Sequence, residues 1–236
     1  MSTPLPTTQF DSQTLSAAFA QIVRARRSVR GFTPEPVPQA TIEAIFDLAQ
    51  WAPSNCNVQP WIVHVVSGQA LARTRTAMLE AFNSGQMTPD FPFLGSYPPG
   101  IYKGRQNDSA KVLYNAMGIA REDKLGRIAG IMRNYELFGA PHSAFVFIDE
   151  QLGLREATDC GMYGQTLMLA LMSHGIASCP QAATSFVAAP IREQLGIPAN
   201  FKLLFGISFG YEDTSVPANA ARVGRTALTE STTFHD

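Results

Sequence analysis

Hydrophobic positions along the chain repeat with two different periods, and the changes of period mark its elements. Leu15, Phe19, Ile22 and Val23 fall on one face of a 3.6-residue repeat, so the spacing predicts an amphipathic helix over 13–26. Ile42, Ile45, Phe46 and Ala49 repeat the pattern over 38–51, and Pro53 stops it. WIVHVVSG (61–68) is a β-branched run closed by a turn, which reads as a buried strand, and 69–82 returns to helical spacing. SAFVFID (143–149) and KLLFGISFGYE (202–212) predict two further strands, with a short one near 178–181 and a helix over 187–196. LREATDCGMYGQTLMLALMSHG (154–175) is helical with small or apolar residues on nearly every side. Such a helix belongs inside a core or against another subunit.

Between the first strand and SAFVFID the texture changes. Residues 83–104 read NSGQMTPDFPFLGSYPPGIYKG, dense in Gly, Pro and aromatics, and two polar helices are predicted beyond them, over 108–121 and 124–137. A loop that long in a compact domain is usually a binding element or disordered. Helices alternating with a few well-separated strands predict an α/β or α+β sheet flanked by helices. No repeat and no linker divides the chain. The expectation is one domain over 1–236, with a polar tail (1–12), a lid insertion (84–137) and a C-terminal arm (213–236) that lacks a core pattern of its own.

Composition narrows the function. With 236 residues, 45% of them hydrophobic, a sizeable core can form, while a formal net charge of -1 argues against bulk attraction to nucleic acid. Cys56, Cys160 and Cys179 are odd in number and lack CxxC spacing, which fits reduced thiols. The opening residues lack a basic then apolar signal pattern, and the apolar run near TLMLALM is too short to span a bilayer. A soluble, cytoplasmic protein is expected. No GxGxxG or phosphate loop occurs, and no GxSxG elbow is visible, since GISFG (206–210) falls inside the strand predicted over 202–212. The four histidines His64, His142, His174 and His235 are scattered without ligand spacing, so structural roles are expected and no metal.

Against that near-neutral background, RARRSVRGFT (24–33) crowds Arg24, Arg26, Arg27 and Arg30 around Ser28. Arg24, Arg26 and Arg27 suit the negative end of the first helix dipole. Ser28 and Arg30 lie past that helix end, where guanidinium forks flanking a hydroxyl suit a phosphate. Arg222 and Arg225 in the arm form a second basic pair, and the two segments together could clamp one phosphate from two sides. In APSNCNVQPW (52–61), Pro53 and Pro60 bracket Ser54, Asn55, Asn57 and Gln59. That stretch is either an ordinary turn or a rigid polar loop suited to a flat heterocycle.

RRSVRGFTPEPVPQATIEAIFDLAQWAPSNCNVQPWIVHVVSG closely resembles the opening of the FMN-dependent nitroreductase family. ASCPQAATSF, REQLGIP, LLFGISFGYED and the arm ending RTAL resemble its second half, in the right order. The resemblance implies an α+β fold: a central, mainly antiparallel sheet flanked by helices, a helical lid, and a C-terminal arm wrapping the partner of a homodimer. It implies FMN at the subunit interface, with Arg26, Arg27, Ser28 and Arg30 on the phosphate, ribityl and pyrimidine edge, and Arg222 and Arg225 closing on the phosphate. Pro53, Ser54, Asn55 and Asn57 would come from the other chain, and the 154–175 helix would form the dimer core. Gln181, Ala182 and Ala183 match the segment passing flavin N5. Many relatives carry Glu-Gly there, so a backbone donor survives here while a carboxylate effect does not. Arg27 stands where a histidine is common.

The same resemblance implies NADPH or NADH as electron donor and a small aromatic acceptor, a nitroaromatic or a quinone, in ping-pong turnover. The flavin carries the hydride, so no protein nucleophile or base is implied. Phe91, Phe93, Tyr97 and Tyr102 would wall the substrate face, and Asn134 would touch the ring edge. Two other readings stay open: a flavin-dependent reductive dehalogenase of halogenated phenols, and a non-catalytic flavin carrier.

Overall fold

The computed structural model describes residues 11–92 and 95–235. Seven α-helices and four strands are assigned there. They are α1 (Ser12–Ala25), α2 (Gln39–Ala49), β1 (Ile62–Ser67), α3 (Gly68–Ser84), α4 (Ile101–Ala116), α5 (Lys124–Met132), β2 (His142–Asp149), α6 (Leu154–Ser173), β3 (Ala177–Gln181), α7 (Ala188–Leu195) and β4 (Phe201–Gly210). The strands form one sheet in the order β1-β2-β4-β3, and every pairing is antiparallel. The fold is therefore α+β.

The sheet is covered on both faces, which is why its strands read as continuous apolar runs. Alternation along β2 sends Ala144, Val146 and Ile148 to one face and Phe145 and Phe147 to the other. The first face packs on α2 and α6 through Ile42, Ile45, Tyr163, Leu167 and Leu171. The second packs on α3 and α7 through Leu71, Met78 and Ile191. A register shift between Val146 and Phe147 pairs them with Phe205 and Leu203 and leaves Leu204 as the extra residue. That bulge lets Leu203 serve the second face while Ile207 and Phe209 serve the first. Fully buried aromatics such as Phe145 and Phe147 contribute about 2–3 kcal/mol each through burial.

Three expectations needed correction. The first lid helix starts at Ile101, directly after Gly100, instead of at 108, so the irregular stretch shrinks to about 85–100. The second ends at Met132 because Leu137 and Phe138 both sit at φ 54, in a kinked turn that buries them. Apolar residues there mimicked a continuing helix. The root of the C-terminal arm is also packed: Ala218 and Asn219, in a 3-10 turn (Pro217–Ala220), are 5% and 3% exposed.

Loop ends are fixed by particular contacts. Gly85 caps α3 in the left-handed region at φ 70, a conformation glycine adopts without strain. Just beyond, Asp90 accepts from the Arg192 guanidinium and from Leu203 N–H, tying the start of the lid to α7 and β4. Phe186 O accepts from Thr88 N–H at 2.7 Å nearby. Among the described residues, no helix is long and apolar enough to cross a membrane.

Candidate functional site

The basic segment leaves α1 as extended chain. Arg26 N–H closes the helix on Ile22 O at 3.0 Å, and Arg24 lies exposed in the last turn, where the dipole accounts for it. Ser28 then bridges Ser178 of β3, Val29 N–H donates to Ser178 O at 3.0 Å, and Phe32 bridges Glu212 just past β4. In extended backbone successive side chains alternate. Alternation turns Val29 away from Ser28 and Arg30, which remain half-buried, and Val29 enters a small core with Phe138, Ala140 and Cys179 that Phe32 joins from beyond Gly31. Burial pushes the Cys179 thiol up to about 11, although Arg30, Ser28 and Arg26 pull it the other way, so it is not a poised nucleophile.

The arm meets this segment from the opposite end of the chain. A concavity of about 220 Å³ is lined by Arg26, Arg27, Ser28, Arg30, Ser109, Leu113, Ala221, Val223 and Arg225. Four guanidinium groups and two hydroxyls therefore face one hollow that no carboxylate lines. Glu212 pairs with Arg27 from a neighbouring hollow, yet Arg27 Nη1 is buried without a partner. Arg225 donates to Val223 O and Gly224 O at 3.1 and 3.0 Å, while Arg222, outside the lining, donates to Asn219 O at 2.7 Å. Arg27 has Glu212 as a counter-charge, but among the described residues Arg26, Arg30 and Arg225 have no carboxylate partner. Cations gathered that way destabilise one another until an anion with several acceptors relieves them.

A second hollow, of about 80 Å³, adjoins the first through the shared residues Arg30 and Leu113, and adds Tyr114, Arg133, Asn134 and Phe138. Asn134 thus lies near Arg30. Gln181 does not turn its side chain towards either hollow. It is 2% exposed, donating through Nε2 to Asn134 O at 2.8 Å and accepting from Ser208 Oγ. Ala182 and Ala183 open the following 3-10 turn, with Ala182 exposed.

The 53–57 loop sits apart, and none of its residues lines the two hollows. Its shape is firmly held. Asp159 accepts from Asn55 N–H at 3.0 Å, Ser54 Oγ accepts from Gln59 N–H at 2.9 Å, and Cys56, Asn57 and Gln59 all adopt positive φ. Three non-glycine residues in that region mark a conformation imposed by its surroundings. Pro53, Asn55 and Asn57 are exposed. So are Phe91, Tyr97 and Tyr102, the last at the start of α4, while Phe93 lies outside the described residues. Ser109, Leu113, Arg133, Glu212 and Asn219 belong to the site region and were not singled out from sequence. Only Arg133 and Asn219, polar residues within mostly apolar stretches, left a signal that could have been read.

The antiparallel sheet covered on both faces, with a two-ended arginine cluster at its β3 edge, agrees with the sequence comparison: the profile described as "Nitroreductase family" matches residues 23–211. The chain belongs to the nitroreductase family. It is 44% identical over 221 residues to nitroreductase NfnB of Mycolicibacterium smegmatis, covering 93% of this chain and 94% of that protein. It is 32% identical to the nitrobenzene nitroreductase of Ectopseudomonas oleovorans, covering 90% and 95%. Among solved structures, the FMN-dependent nitroreductase NfnB from Mycobacterium smegmatis in complex with NADPH superposes with a TM-score of 0.91 at 43% identity, covering 94% of this chain and all of that one.

Proposed function

We propose that the protein is an FMN-dependent oxidoreductase that takes reducing equivalents from NADPH and delivers them to nitroaromatic or quinone acceptors. The observation that carries this reading is the carboxylate-free hollow into which Arg26, Arg27, Arg30 and Arg225 converge from opposite ends of the chain. Its relatives' names supply the rest: one is an FMN-dependent nitroreductase in complex with NADPH, another a nitrobenzene nitroreductase.

The residues fit a flavin phosphate. Arg27 Nη1 is a buried donor lacking an acceptor, and Ser28 and Ser109 add hydroxyls beside the guanidinium groups. Arg26, Arg27, Ser28, Arg30 and Arg225 would hold the phosphate and ribityl chain, with Arg222 supporting the arm. When bound, FMN supplies the two-electron chemistry that connects the nicotinamide to the acceptor. Arg30, reaching into the second hollow, would set a fixed positive charge where negative charge develops on the ring. The backbone of Gln181, Ala182 and Ala183 would offer donors along the ring edge, and Asn134 would flank it. Phe91, Tyr97 and Tyr102 would cover the acceptor and exclude water.

The reading includes a homodimer. Leu15, Phe19 and Val23 form an exposed apolar stripe on α1, and Pro53, Ser54, Asn55 and Asn57 lie on a rigid loop away from their own chain's hollows. A second copy brings both features into use, its loop completing the flavin site of its partner. Three free cysteines, two of them buried, support a cytoplasmic location.

The test is optical. Purified protein should be yellow and release FMN on denaturation. NADPH should bleach it without oxygen, and a nitroaromatic should restore the colour. A colourless protein with no affinity for FMN ends the reading. Bleaching without reoxidation by nitroaromatic or quinone leaves only a carrier, and halide release from a halogenated phenol would assign it to dehalogenation.

A further inference from the structure

We infer that Asn219 is a positioning residue for Arg30, the point at which the C-terminal arm sets the direction of the cation at the ring edge. The inference rests on the FMN reading above. Asn219 is 3% exposed and uses its amide fully on backbone. Its Oδ1 accepts from Arg30 N–H at 2.6 Å, and its Nδ2 donates to Gly31 O at 2.9 Å and to Asp213 O at 2.8 Å. Only this orientation of the amide satisfies one donor and two acceptors together. One side chain therefore spans the Arg30–Gly31 segment, from the N–H of the first residue to the C=O of the second, and anchors it to the chain leaving β4.

Other contacts press on the same two-residue segment. Arg133 Nη2 lies 3.4 Å from Arg30 O and 3.5 Å from Phe138 O. Asp213 N–H donates to Gly31 O at 3.1 Å. Val216 packs so close to Gly31 that a Cβ there would come within 2.5 Å of it. Residue 30 is held at N–H and C=O, which leaves its side chain few directions. Among the described residues the guanidinium makes one long bond, 3.4 Å to Ser28 O, so little besides the main chain sets its aim.

Asn219 also joins the two halves of the basic hollow. Its own carbonyl accepts from Arg222 at 2.7 Å, and the arm continues from it to Arg225. Its side chain fixes Arg30, and its main chain starts the segment bearing the late arginines. Removing the amide leaves Arg30 N–H without its acceptor, while Gly31 O and Asp213 O keep only Asp213 N–H and Val216 N–H, so the hold on the Arg30 main chain loosens and the aim of its side chain with it.

A double-mutant cycle separates aiming from general stability. The full chain, stripped of FMN, is titrated with FMN as wild type, Asn219→Ala, Arg30→Ala and the double variant. Asn219→Ala should raise the Kd for FMN about 10-fold with Arg30 present and less than about 2-fold with Arg30 absent, because a positioning residue acts through its target. Equal factors in both backgrounds, or an unchanged Kd in a folded Asn219→Ala protein, overturn the inference. Should that variant fail to fold, Asn219→Asp replaces it in the same cycle. It keeps the acceptor for Arg30 N–H but sets a carboxylate oxygen against two carbonyls. Protonation restores a donor, so its Kd relative to wild type should fall as pH is lowered from about 8 to about 5. A ratio constant with pH counts against the inference. A wild type without FMN affinity defeats the parent reading as well, whereas additive effects in an FMN-binding protein defeat this inference alone.

Discussion

Glycine at position 31 is required by contact rather than by dihedral angle, since its absent Cβ is the space that the Val216 side chain fills. That close approach brings the arm onto the basic segment and explains why RSVR is followed by Gly. Further along the arm, Arg225 is exposed and, among the described residues, bonded to carbonyls of its own turn alone, which compete for it weakly. Arg225→Ala should weaken FMN binding by about 1.5–3 kcal/mol, roughly one to two decades in Kd, the scale of a charge-assisted hydrogen bond. Fluorescence titration of the stripped protein checks this, and an unchanged Kd would remove the arm from the site.

Elements are joined by a few buried polar side chains, and these give the fold a pH dependence. His142, the first residue of β2, accepts from Val37 N–H at Nε2 (2.9 Å), so its neutral form carries the proton on Nδ1, 2.5 Å from Ser67 Oγ. The ring stacks on Phe209 at 5.2 Å. Burial holds its pKa below the ordinary 6.5, and His64, half-buried beside Phe147, shifts the same way for the same reason. The unfolded chain then binds more protons than the native state below pH 6.5, so stability is full above that value. It declines as pH falls through the lowered pKa values. Urea midpoints should therefore drop as pH is taken below 6.5, and His142→Gln should flatten the slope in part, leaving the share due to His64. A slope unaltered by that substitution would exclude His142 as its source.

For the whole molecule, the apolar surface left uncovered sets the expectation. Phe19 is 60% exposed and Trp51 67%, with Leu15 and Val23 extending the α1 stripe. A lone chain leaves these in water, and an isologous pair buries them twice. Light scattering should give about twice the 25.6 kDa chain mass. Phe19→Asp should shift the mass towards monomer and lower the FMN content together, since the proposed site draws on both copies. A folded monomer that retains FMN would contradict the shared-site arrangement.

Strand and helix identity was legible from the residues themselves, because a sheet buried on both faces requires apolar runs and its covering helices require a 3.6-residue repeat. The arginine cluster was legible as an anomaly of local charge, and the order of motifs marked the family. Position in space was not. The start of α4 at Ile101 depends on Gly100, the early end of α5 on a turn that buries Leu137 and Phe138, and neither leaves a periodic trace. The segment at Gln181 was expected to offer its backbone, and no sequence pattern hinted that its side chain turns inward to Asn134 and Ser208, because a buried amide goes where its hydrogen bonds are. Asn219 stood out only as a polar residue in an apolar stretch of the arm, and its role emerged when packing brought residues 189 positions apart together. Sequence by itself determined which segments are helices, strands and carriers of charge, since those follow from neighbouring side chains. Only the tertiary structure decided which charges share a hollow and which buried amide aims them, because such contacts join parts of the chain that no local pattern connects.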